Sequence, residues 1–241
     1  MIFSPSTTPQ QKWRKLSHRV NCVIKLNDKK IPENDALSVL IGAKNSAENS
    51  AYISYDNTFL LNDNGRLIVS GIIENPQEIL DFAQFQGCDK LLISTDNFDI
   101  FQNEVIEHGE IFEKRGTRKD TLNKNPFPDY KSVYHKMSEH FDLPDYNDFL
   151  VSLHRNKSHT ALIEQENSVA IIEFFEKSAY LNAICTEKET QRQGCASKIL
   201  SYISNCFDRI FLFKEFSKND EFYHKNGFTK CSEFKILKVE I

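Results

Sequence analysis

The residues best suited to chemistry lie in one polar stretch, Thr186-Glu187-Lys188-Glu189-Thr190-Gln191-Arg192-Gln193-Gly194-Cys195-Ala196-Ser197. A strand-like run from Tyr180 to Thr186 leads into it. After it, Ala196, Ile199, Leu200, Ile203 and Phe207 recur at the three-and-four spacing of one helix face. The stretch is therefore a strand-to-helix loop. Gly194, Ala196 and Ser197 leave the first-turn amides of that helix uncovered, so several N–H groups can converge on one anion, aided by the helix dipole. Arg192 adds a cation, and a diphosphate suits the combination; the plainer reading of Arg192 is a solvated surface residue. The loop has neither the Gly-x-Gly-x-x-Gly nor the Walker spacing.

Other reactive side chains are scattered. Glu173 stands mid-strand among apolar residues, where an unpaired carboxylate is costly. It is either a cleft-facing base or amine-binding group, or a paired structural carboxylate; Glu176 is a weaker candidate and water a substitute. Cys22, Cys88, Cys185, Cys195, Cys206 and Cys231 include no Cys-x-x-Cys pair and read as buried free thiols. Cys195 draws separate attention because a thiol at a helix N-terminus can be acidified. His154, His159 and His224 have no mutual spacing of a metal site.

The elements that must position the loop follow in order. Thr160 to Glu164 and Val169 to Phe175 make an antiparallel pair across a turn at Gln165-Glu166-Asn167. The strand from Tyr180, the loop, its helix and a strand from Arg209 to Phe213 come next. The segment Glu221 to Phe228 precedes a last strand through Ile236 and Leu237. This order predicts a large mixed sheet with helices on both faces. Tyr130 to Phe141 and Tyr146 to His154 read as helices, and residues 117 to 129, with Pro126 and Pro128, as a linker.

The first half has a comparable run. After a polar leader, Trp13, Leu16, Val20 and Val23 are spaced like a helix face, although Asn21 to Leu26 equally begins a strand. Pro32 to Ala43 reads as helix, broken at Asn45 to Asn49. Strands fill Ala51 to Ile73, with a hairpin signal at Asn62-Asp63-Asn64-Gly65. Asn75-Pro76-Gln77-Glu78 starts a helix with Ile79, Leu80, Phe82, Ala83 and Phe85 inward and an end at Gly87. Strands at Lys90 to Ser94 and Gly109 to Lys114 flank an ambiguous segment from Phe98 to Val105.

Gln191-x-x-Gly194-x-Ala196 resembles the Q/R-x-x-G-x-G/A acyl-CoA loop of the GCN5-related N-acetyltransferases. Phe222-Tyr223-x-x-x-Gly227-Phe228 resembles that family's other recurring signature, in the right order and at the right separation. The resemblance implies an α/β (mixed α+β) fold of two acetyltransferase-like domains, each a mostly antiparallel mixed sheet flanked by helices. Residues 1–116 would be a degenerate first domain, 117–129 a linker and 130–241 the acyl-CoA-binding N-acetyltransferase domain. In the first half only element order carries the likeness. Its junction, Gly71-Ile72-Ile73-Glu74-Asn75-Pro76, has no glycine cluster; Glu74 repels a phosphate and Pro76 removes a donor.

The resemblance also implies roles. Gln191, Arg192, Gln193, Gly194, Cys195, Ala196 and Ser197 would hold the pyrophosphate. The strand Ile184-Cys185-Thr186 would splay from Arg209 to Phe213 and offer backbone groups to pantetheine, with Ile184 and Thr186 foremost. Tyr223 would be the general acid that protonates the departing thiolate, or else an aromatic packing residue. Glu173 would be the base, Asn219 a cofactor donor or a helix cap, and Cys195 a filler beneath the loop rather than a covalent carrier. The two helices after residue 130 would lie over the acceptor cleft. The implied activity is direct N-acyl transfer from acetyl-CoA, or another short acyl-CoA, to a primary amine of a small molecule or peptide, with no metal. The other class is a catalytically weak CoA-binding or sensory module; a purely structural protein would bind no CoA.

With 241 residues, 40% apolar and 27% charged, the chain can bury one large core or two ordinary ones. Its 30 Lys plus Arg against 34 Asp plus Glu give a net charge of -4, which argues against broad nucleic-acid binding. No apolar run approaches the roughly 20 residues of a membrane span, and Met1 to Pro5 lacks a basic segment followed by an apolar core. The expectation is a cytoplasmic protein without membrane or nucleic-acid partners.

Overall fold

In the computed structural model, residues 23–26, 31–48, 51–53, 57–123, 129–155 and 157–240 are described. The helix expected through Trp13, Leu16 and Val20 and the prolines of the expected linker lie outside them. The elements in chain order are β1 (Ile24–Lys25), α1 (Ala36–Glu48), β2 (Ala51–Ile53), β3 (Phe59–Asp63), β4 (Arg66–Ser70), α2 (Pro76–Phe85), β5 (Lys90–Ser94) and β6 (Val105–Arg115). They continue with α3 (Tyr130–Ser138), α4 (Tyr146–Arg155), β7 (Thr160–Gln165), β8 (Ser168–Phe175), β9 (Ser178–Thr186), α5 (Cys195–Cys206), β10 (Arg209–Glu215), α6 (Asp220–Lys225) and β11 (Thr229–Lys238). Two compact units result: Met1–Lys29 with Ser50–Glu107 and Lys235–Ile241, and Lys30–Asn49 with His108–Phe234. The expected boundary after residue 116 thus falls inside the second unit, which also takes α1.

In the second unit the strand order is β6-β10-β9-β8-β7, with the part of β11 up to Phe234 beside β6. β7, β8 and β9 pair antiparallel, β9 and β10 parallel, and β10 and β6 antiparallel. Alternation along β8 supplies both faces. Ala170 and Ile172 join Ile199, Leu200 and Ile203 of α5 in one core, while Val169 and Ile171 join Val133 and Met137 of α3 and Phe149 of α4 in another. This is a mixed sheet flanked by helices.

α1 packs on the same unit and starts later than the periodicity predicts. Asp35 Oδ1 accepts the Ser38 amide at 2.8 Å, and Ser38 Oγ accepts the Asp35 amide at 3.0 Å, a reciprocal cap that sets the start at Ala36. The helix continues through Asn45 to Glu48. Gly42 explains the close seat: a Cβ there would meet Phe175 Cδ1 at 2.4 Å. Just before the helix, the Glu33 carboxylate accepts Lys177 N at 3.1 Å and Ser178 Oγ at 2.8 Å. Arg209 donates to the carbonyls of Glu33 and Asn34 and to Glu113 Oε1.

The first unit orders β1-β2-β3-β4-β5 over a core that includes Leu60, Leu67, Val69, Ile79, Phe82 and Leu91. Asn64 and Gly65, at φ 52° and 82°, make the hairpin turn that the sequence signals. Asn75 caps α2, with Pro76 in its first turn. Ile79, Phe82 and Ala83 form the buried stripe, whereas Phe85, expected inward, is 40% exposed at the helix end. The helix stops there because Gly87 turns left-handed at φ 68° and Cys88 N bonds back to Ala83 O. β2, β3 and β4 are antiparallel and β5 returns parallel to β4, the same run of pairings as β7, β8, β9 and β10.

Candidate active site

The parallel pairing of β9 with β10 covers four residue pairs, from Ser178 opposite Arg209 to Leu181 opposite Leu212. β10 then follows β6 to Glu215, while β9 stays with β8, so a gap opens beyond Leu181. A bulge lies at its mouth. Ile171 faces Ala183 but Ile172 faces Leu181, leaving Asn182 as the extra residue. The bulge reverses the strand's facing: Ala179 and Leu181 join the α5 core, but beyond it Ile184 does so while Ala183 and Cys185 turn to the α3 side.

Backbone direction in the gap follows from register. Glu187 N donates to Asn167 O at 2.9 Å, so Glu187 and, two residues earlier, Cys185 turn their peptide groups toward β8. Ile184 and Thr186 turn theirs away, to the open side. Cys185 differs from its neighbours: its thiol is buried near Lys136 O at 3.9 Å, and burial pushes its pKa up to about 11. Thr186 O accepts Gln191 Nε2 at 3.4 Å, and its hydroxyl meets Ser168 Oγ at 2.7 Å.

The loop after the gap is exposed from Gln191 to Gly194. Arg192 and Gly194 both adopt positive φ, 64° and 88°, and Gly194 is the N-cap of α5 without a side-chain cap bond. Open space surrounds Gly194, so backbone conformation rather than crowding calls for glycine. Lys198 N to Gly194 O, at 3.1 Å, starts the ladder of α5; the amides of Cys195, Ala196 and Ser197 precede it and have no acceptor within the helix. Cys195 is buried, and its thiol donates to Glu166 Oε2 at 3.2 Å. That bond to a carboxylate pushes the thiol pKa up, opposite to the acidification a helix N-terminus can give. Lys198 pairs with the same carboxylate at 2.5 Å. Glu166 sits at positive φ in the turn between β7 and β8, and its only sequence signal was that turn.

Tyr223 projects from the short helix α6 into an aromatic group, with ring centroids 5.2 Å from Phe222, 5.8 Å from Phe228 and 6.4 Å from Phe112. It packs against the α5 core, as Ile184 does. Burial raises its pKa, which keeps the phenol a neutral O–H donor. The Gly227-Phe228 pair closes the helix: Gly227 is at φ 83°, Phe228 N donates to Tyr223 O at 3.0 Å, and Phe228 is buried. Asn219 occupies the N-cap at φ 60°; its side chain makes no cap bond, and its carbonyl accepts Tyr223 N at 3.1 Å.

Glu173 is buried at 6% exposure. Oε1 accepts Asn182 Nδ2 at 3.1 Å, and Oε2 lies 3.5 Å from Lys44 Nζ of α1. Its neighbour Ile172 belongs to the α5 core that Tyr223 packs against, so Glu173 and Tyr223 are on opposite faces of the sheet. Sequence reasoning missed both partners. Asn182, an exposed polar residue in an otherwise apolar strand, was the available signal; nothing local pointed to Lys44. His154, His159 and His224 each bond a backbone carbonyl, those of Leu150, Phe174 and Phe228. Among the described residues no His, Cys, Asp and Glu cluster could hold a metal ion, and no helix is long and apolar enough to cross a membrane.

No protein-family model and no curated protein sequence matches this chain. Solved structures do. A GCN5-related N-acetyltransferase from Kribbella flavida superposes with a TM-score of 0.54 at 9% identity, covering 87% of this chain and 97% of that one. Another, from Sphaerobacter thermophilus, gives 0.51 at 9% identity over 77% and 78%. At such identities the likeness is one of fold, and this chain has the fold of the GCN5-related N-acetyltransferases.

Proposed function

We propose that the protein is an acyl-CoA-dependent N-acyltransferase that moves an acetyl or other short acyl group to a primary amine of a small molecule or peptide. The observation that carries this reading is the gap between β9 and β10, where the outward peptide groups of Ile184 and Thr186 lead to the uncapped first turn of α5. Peptide groups in such a gap suit the amides of a pantetheine arm, and the amides of residues 195–197 with Arg192 suit its pyrophosphate. Gln191, Gln193 and Asn219 are exposed, which leaves their side-chain amides available to the same cosubstrate. Cys195, bonded to Glu166, packs beneath the loop as a neutral thiol, which favours direct transfer over a covalent carrier.

The bound thioester supplies the activated acyl group. Tyr223 donates its O–H hydrogen bond to the thioester sulfur and passes that proton to the departing thiolate. Burial raises the phenol's pKa and so keeps it in the protonated, hydrogen-bond-donating form. The base that takes the amine proton is water or Glu173, and Glu173 serves only if its bonds to Lys44 and Asn182 loosen.

That engaged carboxylate is also the observation favouring a second reading, a catalytically weak CoA-binding or sensory module. The first unit, with its strands β2 to β5 and α2, serves in either reading as a non-binding, acetyltransferase-like half. In support, its β4-to-α2 junction is already satisfied: Asn75 caps α2, Pro76 brings no donor, and buried Asn97 bonds Ile73 N and Gly71 O.

The experiment is turnover of acetyl-CoA with a panel of primary amines by wild type and Tyr223→Phe. The acid role predicts unchanged acetyl-CoA affinity and a turnover lower by about 10²-fold, or somewhat less because a thiolate leaves readily. An unchanged Tyr223→Phe enzyme, with acyl transfer rate-limiting, would remove the acid role. Acetyl-CoA binding with no acetylation of any amine would favour the module.

A further inference from the structure

Lys214 of β10 is buried, with its side chain 4% exposed, although a buried ammonium is costly unless paired. Its Nζ meets Glu110 Oε2 of β6 at 2.5 Å and Asp220 Oδ1 of α6 at 2.5 Å, and donates to the carbonyl of Glu215 at 3.1 Å. It also lies 4.6 Å from the centroid of the Phe112 ring. Burial alone would lower the pKa of Lys214; its bonds to Asp220 and Glu110 overcome that and raise it, so the charge persists at neutral pH.

Two of these contacts converge on the helix that carries Tyr223. Asp220 is the first residue of α6, one turn before Tyr223. Phe112 packs against the same helix, its ring 6.4 Å from Tyr223 and 5.2 Å from His224. α6 needs such support. It has six residues, too few to be stable alone, and the Asn219 side chain leaves its N-terminus uncapped. The anchor is itself braced, since Lys230 holds Glu110 Oε1 at 3.1 Å and Glu233 at 2.5 Å, and His108 meets Glu233 at 3.0 Å.

We propose that Lys214 is a positioning residue, which through Asp220 and Phe112 fixes α6 and with it the direction of the Tyr223 hydroxyl. This rests on the acyltransferase reading of Tyr223. The test compares Lys214→Met, Lys214→Arg and Asp220→Asn, each alone and combined with Tyr223→Phe. Turnover is measured with saturating acetyl-CoA and the amine most rapidly acetylated in the panel, acetyl-CoA affinity by calorimetry, and α6 order by amide hydrogen exchange.

Lys214→Met should lower turnover by about 10-fold with little change in acetyl-CoA affinity, because a misplaced group loses rate more than binding. Exchange across residues 220–228 should quicken while β8 and β9 stay protected, and Lys214→Arg should recover part of both losses. In the Tyr223→Phe background Lys214→Met should cost little further, since its effect runs through the hydroxyl already removed. Losses that multiply would overturn the positioning role while leaving the acid reading intact. An unaffected Tyr223→Phe enzyme would overturn the acid reading and the route through it. Should Lys214→Met fail to fold, Asp220→Asn, which alters only the α6 partner, is judged by the same cycle. Should no amine be acetylated, unchanged exchange across α6 overturns the anchor and faster exchange supports it.

Discussion

Gly194 and Arg192 shape the start of α5 by backbone conformation, both at positive φ, with Gly194 in open space. A left-handed arginine carries a steric cost that glycine avoids, and this exposed cation precedes by three residues the first of three amides without helical acceptors. If that cation meets a phosphate, Arg192→Ala should raise the Michaelis constant for acetyl-CoA by about 5-fold and flatten its salt dependence, with little change in turnover at saturation. Kinetics at low and high salt check this, and identical salt responses would assign Arg192 to the solvated surface. These residues were legible because a glycine between polar residues and an apolar helix stripe has local meaning. The bond from Cys195 to Glu166 was not legible, since the two come from different turns that meet only once β7, β8 and α5 are packed.

At the scale of elements, strand and helix order could be read from periodicity, and the antiparallel pair with its following strand, helix and parallel strand appears in each unit. Two features could not. A bulge at Asn182 reverses the facing of everything after it, and a period-two pattern does not announce where it slips. α1 packs beside β8 although more than a hundred residues separate them, so its attachment through Glu33, Arg209 and Gly42 has no local sign. That seat is tight. Gly42→Val would drive a side chain into the Phe175 ring, at a cost of about 1–3 kcal/mol and a melting temperature lower by roughly 3–10 °C. Thermal unfolding of the full chain checks it, and an unchanged or higher melting temperature would mean that α1 does not sit against Phe175 as described.

For the whole molecule, the sequence boundary at residue 116 and the compact units disagree because segments are exchanged: α1 and residues 108–116 pack with the second unit, and residues 235–241 with the first. Local patterns reveal elements, whereas the assignment of an element to a core depends on contacts far apart in sequence. The two units also differ in what their helix starts offer. α2 is capped by Asn75 and begins with proline, whereas α5 begins on an uncapped glycine. Of these two helix starts, only that of α5 has neither a side-chain cap nor a proline, and this predicts a single acyl-CoA site per chain. Titration calorimetry of the full chain with acetyl-CoA measures this most directly. The account predicts one site per chain, weakened severalfold when Gly194 is replaced by valine, because that residue disfavours positive φ. No binding, or two equivalent sites, would contradict it.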